Sequence, residues 1–345
     1  METALQPAAN TSQTPDFPAQ LSALLQAAAF APLDDTGWIR VIGGDRVRWL
    51  NGMVTNSIQD LAPGQGCFNF VLNAQGRIQG DLTAWMLEDS ILLETGRAQI
   101  PALLAHLEHF IIMDDVELAD ISDQRSGLLI AGPAALRTVQ QLGGTPGSST
   151  QPAACLSPTI NLKQTAYRGA PVDLILAYSP LVPRFEVWGE PSTIAQISAE
   201  LAAIPTAASQ ALEYLRILEG APRYGTDIRD KDLPQETAQT RALHFSKGCY
   251  LGQEIVERIR SRGNVHRTFT GFTLNGPLPA AGTALQSEGK PVGELTSVAA
   301  IQLPASSSPI QLALGYIRRE ALDRGQPLEY SGGSATPVAL PFPIS

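Results

Sequence analysis

Apolar and polar positions change their spacing several times along the chain, and each change predicts an element. After Gly37, the run from Trp38 to Ile42 reads as a strand, and Asp45 stands where it can cap a helix with Val47, Leu50 and Val54 on one face. Phe68, Phe70 and Leu72 then alternate up to the turn Asn73-Ala74-Gln75-Gly76. Ile78 to Leu87 return, and Glu88-Asp89-Ser90 turn into Ile91-Leu92-Leu93, which together make an antiparallel meander. Leu103, Leu104, Leu107, Phe110 and Ile111 recur at helical spacing ahead of two short strands, Val116 to Ile121 and Leu128 to Ala131. Further on, Ile194, Ile197 and Leu201 mark one helix, and another runs from about Ser209 to a stop at Gly220 with Pro222 beyond it. The most apolar early run, Leu21 to Leu33, predicts a packed helix and is shorter than the roughly 20 residues that span a bilayer.

These shifts divide the chain. Residues 1–20 read as a disordered arm, 21–142 as a first α+β lobe, and 143–266 as a second α+β lobe entered through the Gly-, Ser-, Thr- and Pro-rich stretch from Gly143 to Pro158. From 267 to 345, short apolar runs separated by Asn275-Gly276-Pro277, Ser287-Glu288-Gly289-Lys290 and Ser306-Ser307-Ser308-Pro309 predict a C-terminal β-barrel. No repeat at a fixed period is visible. With 44% apolar residues in 345, each region has material for a core.

Charge narrows the partners. A net charge of -9 opposes general binding to nucleic acid or to an anionic membrane, so an anionic ligand needs a local basic site. Cys67, Cys155 and Cys249 are odd in number and widely spaced, which suits neither a disulfide framework nor a closed zinc site and points to a reducing compartment. Glu2 and Asp16 precede the first basic residue, Arg40, so no secretory or transit pattern is expected and the predicted location is the cytoplasm.

The densest chemistry is Lys247-Gly248-Cys249-Tyr250-Leu251-Gly252-Gln253-Glu254, followed by Ile255, Val256 and Ile259 at helical spacing. Cys249 lies just before a helix, where the helix N-terminus and Lys247 would both favour thiolate; it reads either as a reactive thiol or as a small buried hydrophobe. His244 could serve it as a base or pack locally beside Phe245. His106 and His109 share a helix face with no third ligand in the pattern, and no metal site is predicted. Trp38, Trp49, Trp85 and Trp188 read as core or cleft walls rather than as a nucleic-acid stacking platform.

The segment KGCYLGQE resembles the signature of the YgfZ-type folate-binding family, which is related to the aminomethyltransferase (T-protein) of the glycine cleavage system. Supporting stretches are Val54-Thr55-Asn56, Leu72 to Leu82, Pro222 to Ile228 and Val292 to Ser297. The resemblance implies an α+β, T-protein-like ring of domains around a folate channel. It also implies a tetrahydrofolate-binding protein that supports assembly or repair of iron–sulfur clusters in client enzymes, including a tRNA-modifying one. Cys249 would be the functional thiol and Lys247 its charged neighbour, with Gly248, Tyr250, Gly252, Gln253 and Glu254 shaping the site. A single cysteine cannot hold a cluster that generally needs about four protein ligands, so thiol redox or transient ligation is its expected work.

A true folate-dependent aminomethyltransferase is the alternative, with Asp81 as the carboxylate beside the folate. Against it, Gly80 stands where the transferases resemble a second carboxylate, and their pterin-contacting glutamate has no counterpart in Tyr178 to Glu186. Asp81 could equally be a polar residue on an exposed strand face. Asn56 joins Asp81 in the implied folate-binding set. Arg258, in the arginine-rich run Glu257 to Arg267, could pair with a carboxylate tail or belong to a solvated helix end, and Arg216 could face the same cleft. A third reading keeps the fold as a protein-interaction scaffold without ligand or catalysis.

Overall fold

The computed structural model describes residues 16–144, 160–263 and 265–344, which leaves Cys155, most of the expected arm and most of the Gly143–Pro158 stretch outside the described residues. Helix α1 (Phe17–Gln26) starts inside the stretch expected as an arm. Asp16 caps it by accepting from the Ala19 amide at 3.0 Å, and Pro18 falls in the first turn, where a missing N–H costs nothing. The helix expected over Leu21 to Leu33 is in fact half strand. After a cap at Ala27 the chain enters β1 (Ala29–Pro32), because pairing with a neighbouring strand satisfies its backbone where local propensity alone would not decide.

Two halves then follow the same path. The first runs β2 (Thr36–Ile42), α2 (Arg46–Met53), β3 (Gln65–Leu72), β4 (Ile78–Met86), β5 (Ile91–Gly96), α3 (Ile100–Glu108) and β6 (Glu117–Asp120). The second runs β7 (Ser126–Ala131), α4 (Ala135–Gln141), β8 (Ile160–Tyr167), β9 (Ala170–Leu176), β10 (Arg184–Gly189) and α5 (Pro191–Glu200). Beside β7, β1 takes the place that β6 takes beside β2, giving one sheet in the order β1-β7-β10-β9-β8-β3-β4-β5-β2-β6. In the sheet the halves pair where Gln65 and Gly66 of β3 face Asn161 and Ile160 of β8. The shared path has no fixed sequence period.

Side chains explain the curl. The sheet bends until Trp38 on β2 meets Trp188 on β10 edge to face at 5.0 Å, with the Arg125 guanidinium 4.3 Å above the Trp38 ring. Helices α2 and α3 cover a core of Leu50, Met53, Leu82, Leu93 and Leu103 in the first half, while α4 and α5 cover Ile130, Val139, Phe185 and Ile194 in the second. Asp45 does not cap α2 with its side chain. Its carboxylate instead accepts from the Asp115 amide at 3.0 Å and pairs with Arg48, fastening the loop before β6.

Helix α6 (Ser209–Glu219) ends at Gly220, whose φ of 68° is the left-handed stop anticipated from the sequence. With α1 it packs on the outer face of the barrel, and α7 (Gln253–Arg262) lies over the tip of the β3–β4 hairpin. The barrel comprises β11 (Arg267–Asn275), β12 (Ala284–Ser287), β13 (Lys290–Ile301), β14 (Ile310–Arg318), α8 (Arg319–Asp323), β15 (Leu328–Tyr330) and β16 (Gly333–Val338), closed in the order β11-β14-β13-β12-β15-β16. Its β12–β13 hairpin turns on Glu288 and Gly289, both at positive φ, as two-residue hairpin loops require. Among the described residues no helix is long and apolar enough to cross a membrane.

Candidate functional site

The signature segment is first an architectural device. Gly252, at φ 82°, precedes α7, and a Cβ there would stand 2.5 Å from the Asn73 carbonyl and 3.1 Å from Gly76 Cα; a Cβ on Gly76 would in turn meet Ile255 at 2.7 Å. The two glycines let α7 seat on the hairpin. Gln253 accepts from the Tyr250 amide at 3.0 Å, and Leu251 donates to the Gly52 carbonyl at 2.9 Å. Lys247 turns inward, donating to the carbonyls of Asn51, Val54 and Asn56 at 2.7, 2.7 and 2.6 Å, so its three donors tie down the C-terminal end of α2, where a helix welcomes a cation. Burial pulls this ammonium down to about 8.

Between the two anchors, Lys247 and Leu251, Gly248 and Cys249 are exposed. The thiol stands three residues ahead of the α7 N-cap, Gly252, and the Lys247 ammonium is turned to the carbonyls of Asn51, Val54 and Asn56. The thiol whose ionisation Lys247 favours is Cys67 on β3. That sulfur is nevertheless held up at about 11, chiefly by burial, while it accepts from Asn69 at 3.3 Å and donates to the Ser57 carbonyl at 3.7 Å. Glu254 points to solvent, and Tyr250 covers the Lys247 ammonium at 5.0 Å.

Behind the signature lies a cavity of ≈ 270 Å³ whose walls include Asn56, Cys67, Phe68, Arg241 and His244. His244 therefore stands with Cys67; Cys249 does not line this space. His244 donates its amide to Thr55, while its Nδ1 is buried without a partner. Arg241 is the residue that sequence reasoning missed. Its guanidinium lies between the rings of Phe68 and Tyr178, 4.2 and 4.1 Å from their centroids, and its one hydrogen bond among the described residues runs from Nε to Gln239 at 3.4 Å. Among the described residues no carboxylate comes within ion-pair distance of it, and desolvation pulls it down to about 10. The available signal was a lone cation beside Ala242 in the uncharged run Thr237 to Leu243.

Asp81 sits on β4 close enough to feel this charge. It is not on an open strand face: Gln99 clasps it, donating Nε2 to the carboxylate at 2.9 Å and accepting the Asp81 amide at 3.1 Å, and burial raises its pKa above the ordinary value. Gly80 is a packing position, since a Cβ there would press into Leu103 at 2.6 Å. Glu219, at the end of α6, reaches the Ser179–Leu181 stretch that carries no glutamate of its own, where it accepts from the Ser179 hydroxyl and is raised mainly by burial. It borders a second space of ≈ 260 Å³ together with Tyr178 and Gln239.

The remaining expected residues have other partners. Asn56 is buried, donating to the carbonyls of Phe68 and Arg241 and taking the Ser57 amide. Arg216 spends all five donors on Glu213, Asp227, Ala221 and Ser297, a tie from α6 to the barrel that leaves none for a ligand. Arg258 is exposed on α7, Arg260 stacks on Phe245, and Arg267 pairs with Asp232 and Glu236. His106 meets the Leu72 carbonyl at 3.1 Å, and both it and His109 pack on Phe110.

This arrangement has known counterparts. The family described as GCVT N-terminal domain matches residues 13–247, and the one described as CAF17, C-terminal β-barrel domain matches residues 267–342. The chain is 26% identical over 315 residues to the chloroplastic protein At1g60990 of Arabidopsis thaliana, whose name makes it a candidate transferase; the match spans 88% of this chain and 68% of that protein. It is 25% identical over 248 residues to the tRNA-modifying protein YgfZ of Colwellia psychrerythraea, spanning 71% of each. The crystal structure of the glycine cleavage system aminomethyltransferase T from Bartonella henselae superposes with a TM-score of 0.79 at 20% identity, covering 95% of this chain and 90% of that one, so the curled sheet with its closed barrel is a T-protein-like fold. The chain belongs to the family of the GCVT N-terminal domain, joined here to a CAF17-type barrel.

Proposed function

We propose that the chain is a YgfZ-type, tetrahydrofolate-binding accessory protein that supports assembly or repair of iron–sulfur clusters in client enzymes, a tRNA-modifying enzyme among them. The observation that carries this reading is the presentation of Cys249: an exposed thiol on a loop fixed at both ends, within reach of another protein, while every other polar side chain of the signature except Glu254 is turned to packing or hydrogen bonding. Asp81, Arg241 and the Phe68 and Tyr178 rings supply a carboxylate, a cation and aromatic walls, a donor set that fits a pterin bearing a carboxylate tail. A bound folate would supply one-carbon chemistry; the chain's part is to hold it. The cytoplasmic location belongs to the same proposal.

The second reading, a folate-dependent aminomethyltransferase, is favoured by Asp81, a carboxylate held by Gln99 with its pKa raised. One experiment separates them. In cells lacking the native protein, the activity of an iron–sulfur tRNA-modifying enzyme is measured after return of wild type, Cys249→Ser or Asp81→Asn. The accessory reading expects Cys249→Ser to fail while folded, and Asp81→Asn to lose activity in step with its loss of folate affinity. Full rescue by Cys249→Ser would remove the thiol role, and turnover of an aminomethylated lipoyl carrier, abolished by Asp81→Asn, would establish the transferase.

A further inference from the structure

Two spaces meet at the stacked Arg241 and Tyr178 side chains, and their polarity is opposite. The ≈ 270 Å³ cavity is bordered by the Arg241 guanidinium, the ≈ 260 Å³ one by the Glu219 carboxylate. Arg241 has no counterion within ion-pair distance, and its terminal N–H groups have no protein acceptor among the described residues. The carboxylate on the wall of its cavity, Asp60, is already engaged by the Ser57 hydroxyl at 2.6 Å. His244, which also lines this space, carries a buried Nδ1 without a partner among the described residues. A desolvated guanidinium without an anion is costly, and stacking between two rings fixes its plane, so the planar fork is already oriented for a carboxylate.

We propose that the Cys67–His244 cavity seats the anionic end of the ligand, with Arg241 as the anchor that receives a carboxylate, while the uncharged ring end lies on the far side of Arg241 toward Asp81. This rests on the folate reading and assigns the orientation of the ligand within the site. Arg216 and Arg258 have no part in it, since the first is fully bonded within the protein and the second faces solvent.

The test uses the full chain under anaerobic, reducing conditions with two probes, 5-formyltetrahydrofolate and 6-methyltetrahydropterin, which lacks the glutamate tail. Wild type is expected to bind the folate more tightly than the pterin. Arg241→Gln should weaken the folate by about tenfold or more, as expected for a lost charge-assisted hydrogen bond, and leave the pterin within about twofold; Arg241→Lys, keeping the charge without the fork, should fall between. A second readout needs no variant: saturating folate should slow alkylation of Cys67 several-fold by mass mapping, the pterin should not, and exposed Cys249 should label equally with either. Equal losses for both probes, or Cys67 labelling that ignores the folate, overturn the anchor and leave the folate reading standing. Binding of neither probe by wild type overturns both.

Discussion

The signature loop and the cavity behind it share a wall at Asn56, yet they use their polar atoms in opposite ways. In the loop, Lys247 has three carbonyls, Gln253 has an amide, and the two glycines exist to let α7 and the β3–β4 hairpin touch. Around the cavity, Arg241 and His244 keep polar groups without protein partners among the described residues. A motif that is conspicuous in sequence is therefore largely scaffolding, with Cys249 as its free chemical group. The unsatisfied groups that a ligand would complete lie in stretches with no recognisable pattern.

The sharpest way to break this comparison is to treat the loop as scaffolding and remove its closest contact. Gly252→Ala places a methyl 2.5 Å from the Asn73 carbonyl at a left-handed φ, so strain and overpacking add, and we expect a loss of about 3 kcal/mol by denaturant unfolding. A change below about 1 kcal/mol would mean the hairpin yields easily and the motif is not a packing device. Lys247→Met comes next. It strips one ammonium from three carbonyls at once, and the expected loss is about 2 kcal/mol, with proteolysis enhanced around residues 51–56. An unchanged midpoint accompanied by lost function would move Lys247 from scaffolding to chemistry.

Much of the fold was legible in the residues. Period-two runs gave the β3–β4–β5 meander, Gly220 gave the end of α6, and Ser287 to Lys290 gave the β12–β13 turn, because each depends on local backbone preference. The strand at Ala29–Pro32 was not legible, since it is held by pairing with β7, a hundred residues away, and by a bridge to Thr206. The duplication of the two halves was hidden for a related reason: they share a path of strands and helices while their side chains have diverged. At the site, the sequence pointed to Asp81 and Cys249. It could not show that Lys247 faces Cys67 rather than Cys249, or that Arg241 lies between Phe68 of one half and Tyr178 of the other, because both facts arise where distant segments meet.

A third polar cluster sharpens the contrast, being bonded throughout yet electrostatically crowded. Where the halves of the sheet face each other, Glu94 takes the Trp85 indole N–H at 2.8 Å, and Glu186 takes that of Trp188 at 3.0 Å and the Arg184 guanidinium at 2.8 Å. Burial, and after it the Glu186 charge, push the Glu94 pKa well above its ordinary value. A raised acid pKa contributes stability that is complete below the unfolded value near 4.5 and is lost as pH rises through the folded one, because the unfolded chain then holds fewer protons. Glu94→Gln retains an acceptor for Trp85 and removes the titrating group. Its melting midpoint should therefore gain on wild type as pH is raised from 5 to 8, by a smaller margin than either loop variant loses. A difference that stays constant across that range would mean Glu94 takes up no proton on folding, and that this cluster, like the signature loop, is satisfied by hydrogen bonding alone.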